Sequence, residues 1–153
     1  MERVIIGVAL AAIAGAVAAW FARRDRVAAD PPAEYHVPTA VDRRDFVEVD
    51  RPWLVAVFTS ATCSSCQDTW ERARHLDSDA VAVQEVEVGA DADLHHRYAI
   101  DAVPTTVIAD AEGVVQGSFL GPVSATHLWA RLAELREPGS VPDGCGGSGP
   151  DGH

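Results

Sequence analysis

The segment WLVAVFTSATCSSCQDTW, residues 53–70, decides how this 153-residue chain is read. Trp53 to Thr59 is a continuous apolar run without clear alternation, as expected of a strand covered on both faces in the middle of a sheet. From Cys63 the pattern turns helical through about His75, with Trp70, Ala73 and Arg74 or the stem of Arg72 spaced to bury one side. Cys63 and Cys66 therefore stand three residues apart at a strand-to-helix junction. That spacing keeps both sulfurs on one helix face, whereas a spacing of two points them apart. A cysteine in the first turn lies among unsatisfied backbone N–H groups and at the positive end of the macrodipole. Both favour the thiolate, the form that attacks a disulfide. Cys66, one turn on, is within reach to displace the mixed disulfide that results.

Two other uses of a CxxC pair have to be weighed. As half of a zinc site it needs further ligands, and Cys145, His75, His95 and His96 offer no second knuckle spacing. As a structural disulfide it closes too small a loop to stabilise much. The residues thus favour dithiol/disulfide exchange, with neither a metal nor a cofactor expected. His95 and His96 read as exposed helix residues. Cys145, in a glycine-rich setting, is either a free thiol or a third redox partner.

Upstream, Val4 to Ala22 is a run of nineteen uncharged residues. As a helix it reaches roughly 28 Å and nearly spans a bilayer core. Residues 1–22 are therefore expected to form a transmembrane anchor, with Trp20 and Phe21 at the interface. A cleaved signal peptide, with a small-residue site at Ala16-Val17-Ala18, and a buried core helix are the alternatives; the apolar run is long for the former. Arg23, Arg24 and Arg26 follow the segment and only Arg3 precedes it, a bias that puts the body of the chain on the cytoplasmic face. Residues 23–34 form a linker, and the Pro-bearing composition VAADPPAEYHVP (27–38) suits an extended tether.

The rest of the chain alternates between strand and helix patterns. A weak strand is expected near Tyr35 to Val37, and a short helical turn over 39–46 with Thr39 or Asp42 as N-cap. Ala80 to Val88 alternates with a period of two and reads as a strand half exposed at Gln84, Glu85 and Glu87. A short helix through Asp91 to Tyr98 follows. Strands over 105–110 and 114–120, joined by Ala111-Glu112-Gly113, are close enough to form an antiparallel hairpin. Ser124 then caps a helix whose stripe carries Leu128, Trp129, Leu132 and Leu135. Residues 138–153 are too poor in apolar side chains to fold and are expected to be a disordered tail.

Together these residues resemble the thioredoxin family: an apolar central strand, the CSSC pair at the next helix start, Tyr98-Ala99-Ile100-Asp101-Ala102-Val103-Pro104-Thr105 some forty residues on, a hairpin, Gly121 and a closing helix. The resemblance covers residues 35–137. It implies an α/β, thioredoxin-like fold with a mixed central sheet and helices on both faces, here preceded by one N-terminal transmembrane helix. It also implies a cis Pro104 facing the cysteines, and a Val103 backbone that pairs with an extended substrate segment. The departures are informative. Val57 stands where the family often has a buried Asp, six residues before the first cysteine. Glu85 stands where it often has a Lys, and Thr59 and Thr62 replace the tryptophans that commonly flank the pair. Ser64-Ser65 is neither of the common family dipeptides, and the family's first helix is shortened. Proton transfer from Cys66 then has water or Glu85 to draw on.

The charge balance narrows the partners. All twelve basic residues are Arg, against twenty-three acids, for a net charge of −11. Residues 1–26 hold four Arg and two acids, so eight Arg face twenty-one acids in the remainder. Such a body repels nucleic acid and anionic lipid. The expected partners are a protein disulfide as substrate, a reductant protein or small thiol, and the membrane through the N-terminal helix. A non-catalytic interaction module and an extracytoplasmic thiol oxidoreductase serving protein or cytochrome maturation are the competing readings.

Overall fold

The structure is a computed structural model that describes residues 35–140. The expected anchor, the linker over 23–34 and the tail beyond residue 140 lie outside the described residues. Among those described, no helix is long and apolar enough to cross a membrane.

A 3-10 turn, Arg43–Asp45, comes first, capped by the Asp42 carboxylate, which accepts from the Arg44 N–H. Strand β1 (Trp53–Thr59) leads to helix α1 (Ser64–Ala73) and a second 3-10 turn, Arg74–Leu76. Then come β2 (Val81–Glu87), α2 (Ala92–Arg97), β3 (Thr105–Ala109), β4 (Val115–Leu120) and α3 (Ala125–Arg136). The four strands lie in the order β2-β1-β3-β4. β1 runs parallel to β2 and antiparallel to β3, and β3 pairs antiparallel with β4, so the sheet is mixed.

The unbroken apolar run of β1 follows from its position. It has a hydrogen-bonded neighbour on each side and a packed layer on each face, and six of its seven residues are buried. Alternate residues serve the two layers. Leu54, Ala56 and Phe58 pack with Val41, Phe46, Val86, Tyr98 and Val107, the side of α2 and the first 3-10 turn. Val55 and Val57 pack with Ala73, Val81, Ile108, Leu128 and Leu132, the side of α1 and α3.

Three expectations are corrected here. Tyr35 to Val37 is not a strand. The pairing comes later, where Ala40 forms an isolated bridge with Val114, flanked by bonds from the Val41 N–H to the Gly113 carbonyl and from the Val115 N–H to the Thr39 carbonyl. Trp129 is not part of the buried stripe of α3. Leu128 and Leu132 are buried and Leu135 half-buried, while Trp129, about 100° round the helix from Leu128, is 47% exposed. His95 is buried: its Nε2 lies 2.9 Å from the Val86 carbonyl and its ring meets Phe58 edge to face. His96, its neighbour, is exposed as expected. On α1 the buried side is Cys66, Thr69 and Ala73, with Trp70 half-buried against the same layer. Of the two arginines it is Arg72 that turns inward, to the Val123 carbonyl, while Arg74 is exposed and ion-paired with Glu71.

A polar cluster ties the first 3-10 turn to α2. The Tyr98 hydroxyl donates to Asp45 Oδ2 (2.5 Å) and accepts from the Asp42 N–H (3.0 Å). Arg97 Nη1 donates to both Asp45 oxygens, at 2.6 and 2.7 Å. Tyr98 begins the segment that leads to Val103 and Pro104, so the cluster sets where that segment starts. The buried Arg43 donates to the carbonyls of Asp110, Arg51 and Glu48, tying the loop before β1 to the β3–β4 turn.

Candidate active site

Cys63 and Cys66 form a disulfide, with their Cα atoms 5.3 Å apart. β1 ends at Thr59, and a turn closed by the Cys63 N–H on the Ser60 carbonyl (3.0 Å) delivers Cys63 to the N-cap of α1. There its sulfur accepts from the Cys66 N–H at 3.2 Å and lies 3.3 Å from the Ser65 hydroxyl. An N–H at a helix start aimed at sulfur favours a thiolate at that position once the bond is reduced. Cys66 is 1% exposed whereas Cys63 is half-buried. Cys63 is the more accessible of the pair, and Cys66 is covered.

The loop into Cys63 is held from the neighbouring strand. Glu87 Oε1 accepts the Ala61 N–H at 3.0 Å, and its Oε2 accepts the N–H groups of Gly89 (2.8 Å) and Ala90 (3.1 Å). These bonds, that from Ala61 first, hold its carboxyl below the usual carboxylate range. In the sequence Glu87 reads only as a half-exposed strand residue. Alternation says which face a strand residue occupies, not that its carboxylate turns back to hold a loop.

Glu85 is half-buried, as the alternation of its strand predicts. It stands beside the fully buried Val57 in the β1–β2 register, and its Oε1 accepts from the buried Thr59 hydroxyl at 2.8 Å. A groove of about 490 Å³ brings Glu85 and Glu87 together with Cys66, Asp68 and Glu71. No arginine lines it.

The Val103–Pro104 peptide bond is cis, as the resemblance implies. Pro104 is buried, immediately before the Phe58–Thr105 pair of the β1–β3 ladder, which puts it at the end of the sheet where β1 hands over to Cys63. Val103 is half-buried and borders a smaller hollow of about 260 Å³ with Ser60, Val88, His95, Ile100 and Asp101. Ser60 borders both hollows, so the loop leading to Cys63 lies between them. His75 is exposed, and Cys145 lies outside the described residues. Among the described residues no three His, Cys, Asp or Glu side chains are grouped so that they could hold a metal ion.

No family model matches this chain, and no curated protein does. Solved structures do. A mutant thioredoxin from Halobacterium salinarum aligns with a TM-score of 0.54 and 23% identity, over 69% of this chain and 93% of that one. The germline-specific thioredoxin Deadhead from Drosophila melanogaster aligns with a TM-score of 0.50 and 23% identity, over 57% of this chain and 84% of that one. The described domain has a thioredoxin fold. Within that fold the disulfide sits at the N-terminus of α1 and the cis proline at the same end of the sheet.

Proposed function

We propose that this protein is a membrane-tethered thiol–disulfide oxidoreductase that reduces disulfides in protein substrates through Cys63 and Cys66. The observation that carries the reading is the disulfide at the N-cap of α1, with Cys63 accessible and Cys66 covered. In the reduced form the Cys63 thiolate attacks a substrate disulfide. A bond forms between Cys63 Sγ and one substrate sulfur while the other substrate sulfur leaves as a thiolate and is protonated. Cys66 then loses its proton and attacks Cys63 Sγ. The second substrate thiol is released and the Cys63–Cys66 disulfide remains, to be reduced in turn by a dithiol donor. Val103 and the cis Pro104 are read as the place where an extended substrate segment pairs with the backbone.

The tether rests on the uncharged run Val4 to Ala22, and its orientation on Arg23, Arg24 and Arg26, which favour a cytoplasmic domain and hence the reducing direction. Full-length protein with dithiothreitol as donor should reduce insulin, and Cys63→Ser should abolish this. Cys66→Ser should instead accumulate a mixed disulfide at Cys63. A wild-type protein inactive with every dithiol donor tried sinks the enzyme reading. Topology is read separately, from Cys145: protection from a membrane-impermeant maleimide in intact cells supports the cytoplasmic face. Labelling there moves the domain outside, to extracytoplasmic thiol chemistry.

A further inference from the structure

When the mixed disulfide is resolved, Cys66 must give up a proton while almost wholly covered, at 1% exposure. Val57, in the central strand, has no atom that could accept one. Groups on α1, β2 and the 60–61 loop border the groove beside Cys66, and those that ionise are Asp68, Glu71, Glu85 and Glu87. Glu87 is committed to three backbone N–H groups, which keep its carboxyl a weak base. Glu71 is paired with Arg74 at 2.7 Å, and Asp68 is exposed. No cationic group lines the groove.

Glu85 differs from all three. It has the parity of Val81 and Val83 on β2, which pack in the layer with Val57 and α1. It is half-buried, and its one hydrogen bond comes from the hydroxyl of Thr59, itself 1% exposed. That bond engages Oε1, and among the described residues no hydrogen bond engages Oε2. The groove is large enough for water to carry a proton between Cys66 and Glu85, since one water occupies about 30 Å³.

We infer that Glu85, oriented by Thr59, accepts the Cys66 proton during resolution, and so moves to the neighbouring strand the role that Val57 cannot fill. The assignment rests on the oxidoreductase reading above. In the step, the Cys66 S–H proton passes through groove water to Glu85, the Cys66 sulfur forms its bond to Cys63 Sγ, and the bond from Cys63 to the substrate breaks. The departing substrate thiolate then takes the proton back from Glu85 or from solvent. Thr59 is a positioning residue: it acts only through the carboxylate.

The test uses full-length reduced protein carrying Cys145→Ser, mixed rapidly with 5,5′-dithiobis(2-nitrobenzoate). Cys63 attack and Cys66 resolution each release one coloured thiolate, so the two steps appear as two phases. Glu85→Gln should leave the first phase within about twofold and slow the second by about a hundredfold near neutral pH, the lower reach of general-base catalysis. Without the carboxylate, the second phase should rise about tenfold per pH unit between pH 6 and 8, because it then follows the thiolate fraction. The wild-type second phase should be flatter. Glu85→Asp should recover part of the rate, and Thr59→Val should slow the second phase severalfold in the same pH-dependent way. A second phase with unchanged rate and pH slope in Glu85→Gln overturns the inference while the oxidoreductase reading stands. A wild-type protein that never releases the second thiolate overturns the oxidoreductase reading itself, and the inference with it.

Discussion

Tyr98→Phe removes one oxygen from the cluster that fixes the start of the Tyr98–Pro104 segment, and its consequence can be worked from the contacts. The hydroxyl donates to the Asp45 carboxylate and accepts from the Asp42 N–H. A hydrogen bond to a charged group contributes about 1.5–3 kcal/mol and a neutral one about 0.5–1.5 kcal/mol. Arg97 still holds Asp45 in the variant, so the expected loss is about 2–3 kcal/mol. For a domain of this size that lowers Tm by roughly 10–20 °C. The pH dependence supplies an independent check. Burial first, and the bond to Asp45 second, push the Tyr98 hydroxyl from 10.0 up to about 12. A raised pKa means that the stabilisation is complete below the unfolded value and is lost as pH rises from about 10 towards 12. At about 1.4 kcal/mol per pH unit that loss is at most about 3 kcal/mol, less what solvent screening removes. Tyr98→Phe has no such proton to lose, so the gap between the two proteins should be constant below pH 10 and close above it. Urea unfolding followed by tryptophan fluorescence at pH 7, 9, 10 and 11 measures both quantities. A gap under about 0.5 kcal/mol at pH 7, or one that stays constant to pH 11, refutes the reasoning.

Asp45 sets the acid side of the same cluster: the Tyr98 hydroxyl first, then Arg97, hold its carboxyl below the usual range. Its contribution is therefore present above the ordinary carboxylate pKa and lost as pH falls through the lowered folded value, and acid unfolding of Asp45→Asn should show a shallower loss than wild type. Thr106 is fully buried and its hydroxyl has no hydrogen-bond partner. Thr106→Val, which keeps the shape and removes the desolvated oxygen, should stabilise the domain by about 1 kcal/mol in the same urea assay. Gly113 turns the β3–β4 hairpin at φ +84°, and a Cβ there would lie 2.0 Å from the Val41 carbonyl oxygen. Gly113→Ala should cost about 3 kcal/mol, visible as a fall in Tm, because both the backbone conformation and the close approach resist it.

What the sequence determined by itself is whatever a local pattern carries. A strand paired on both sides and covered on both faces must be apolar throughout, so Trp53 to Thr59 announces a central strand. A CxxC pair directly after it, at a helix start, announces paired sulfurs on one helix face. The alternation of β2, the hairpin and the Ser124 cap are local in the same sense. Tertiary structure alone decided what depends on meeting distant residues. His95 reads as an exposed helix residue until α2 packs on β2 and gives its ring the Val86 carbonyl and the Phe58 edge. Trp129 reads as core until the docking face of α3 is set by Leu128 and Leu132. Glu85 and Glu87 share one alternating pattern, yet one carboxylate holds the loop before Cys63 and the other takes a hydroxyl from Thr59 beside the groove. The physical reason is one of range. Periodicity reports which face a side chain occupies, whereas a carboxylate's partners are brought to it by strand register and loop closure, across some 26 residues of intervening chain in both cases.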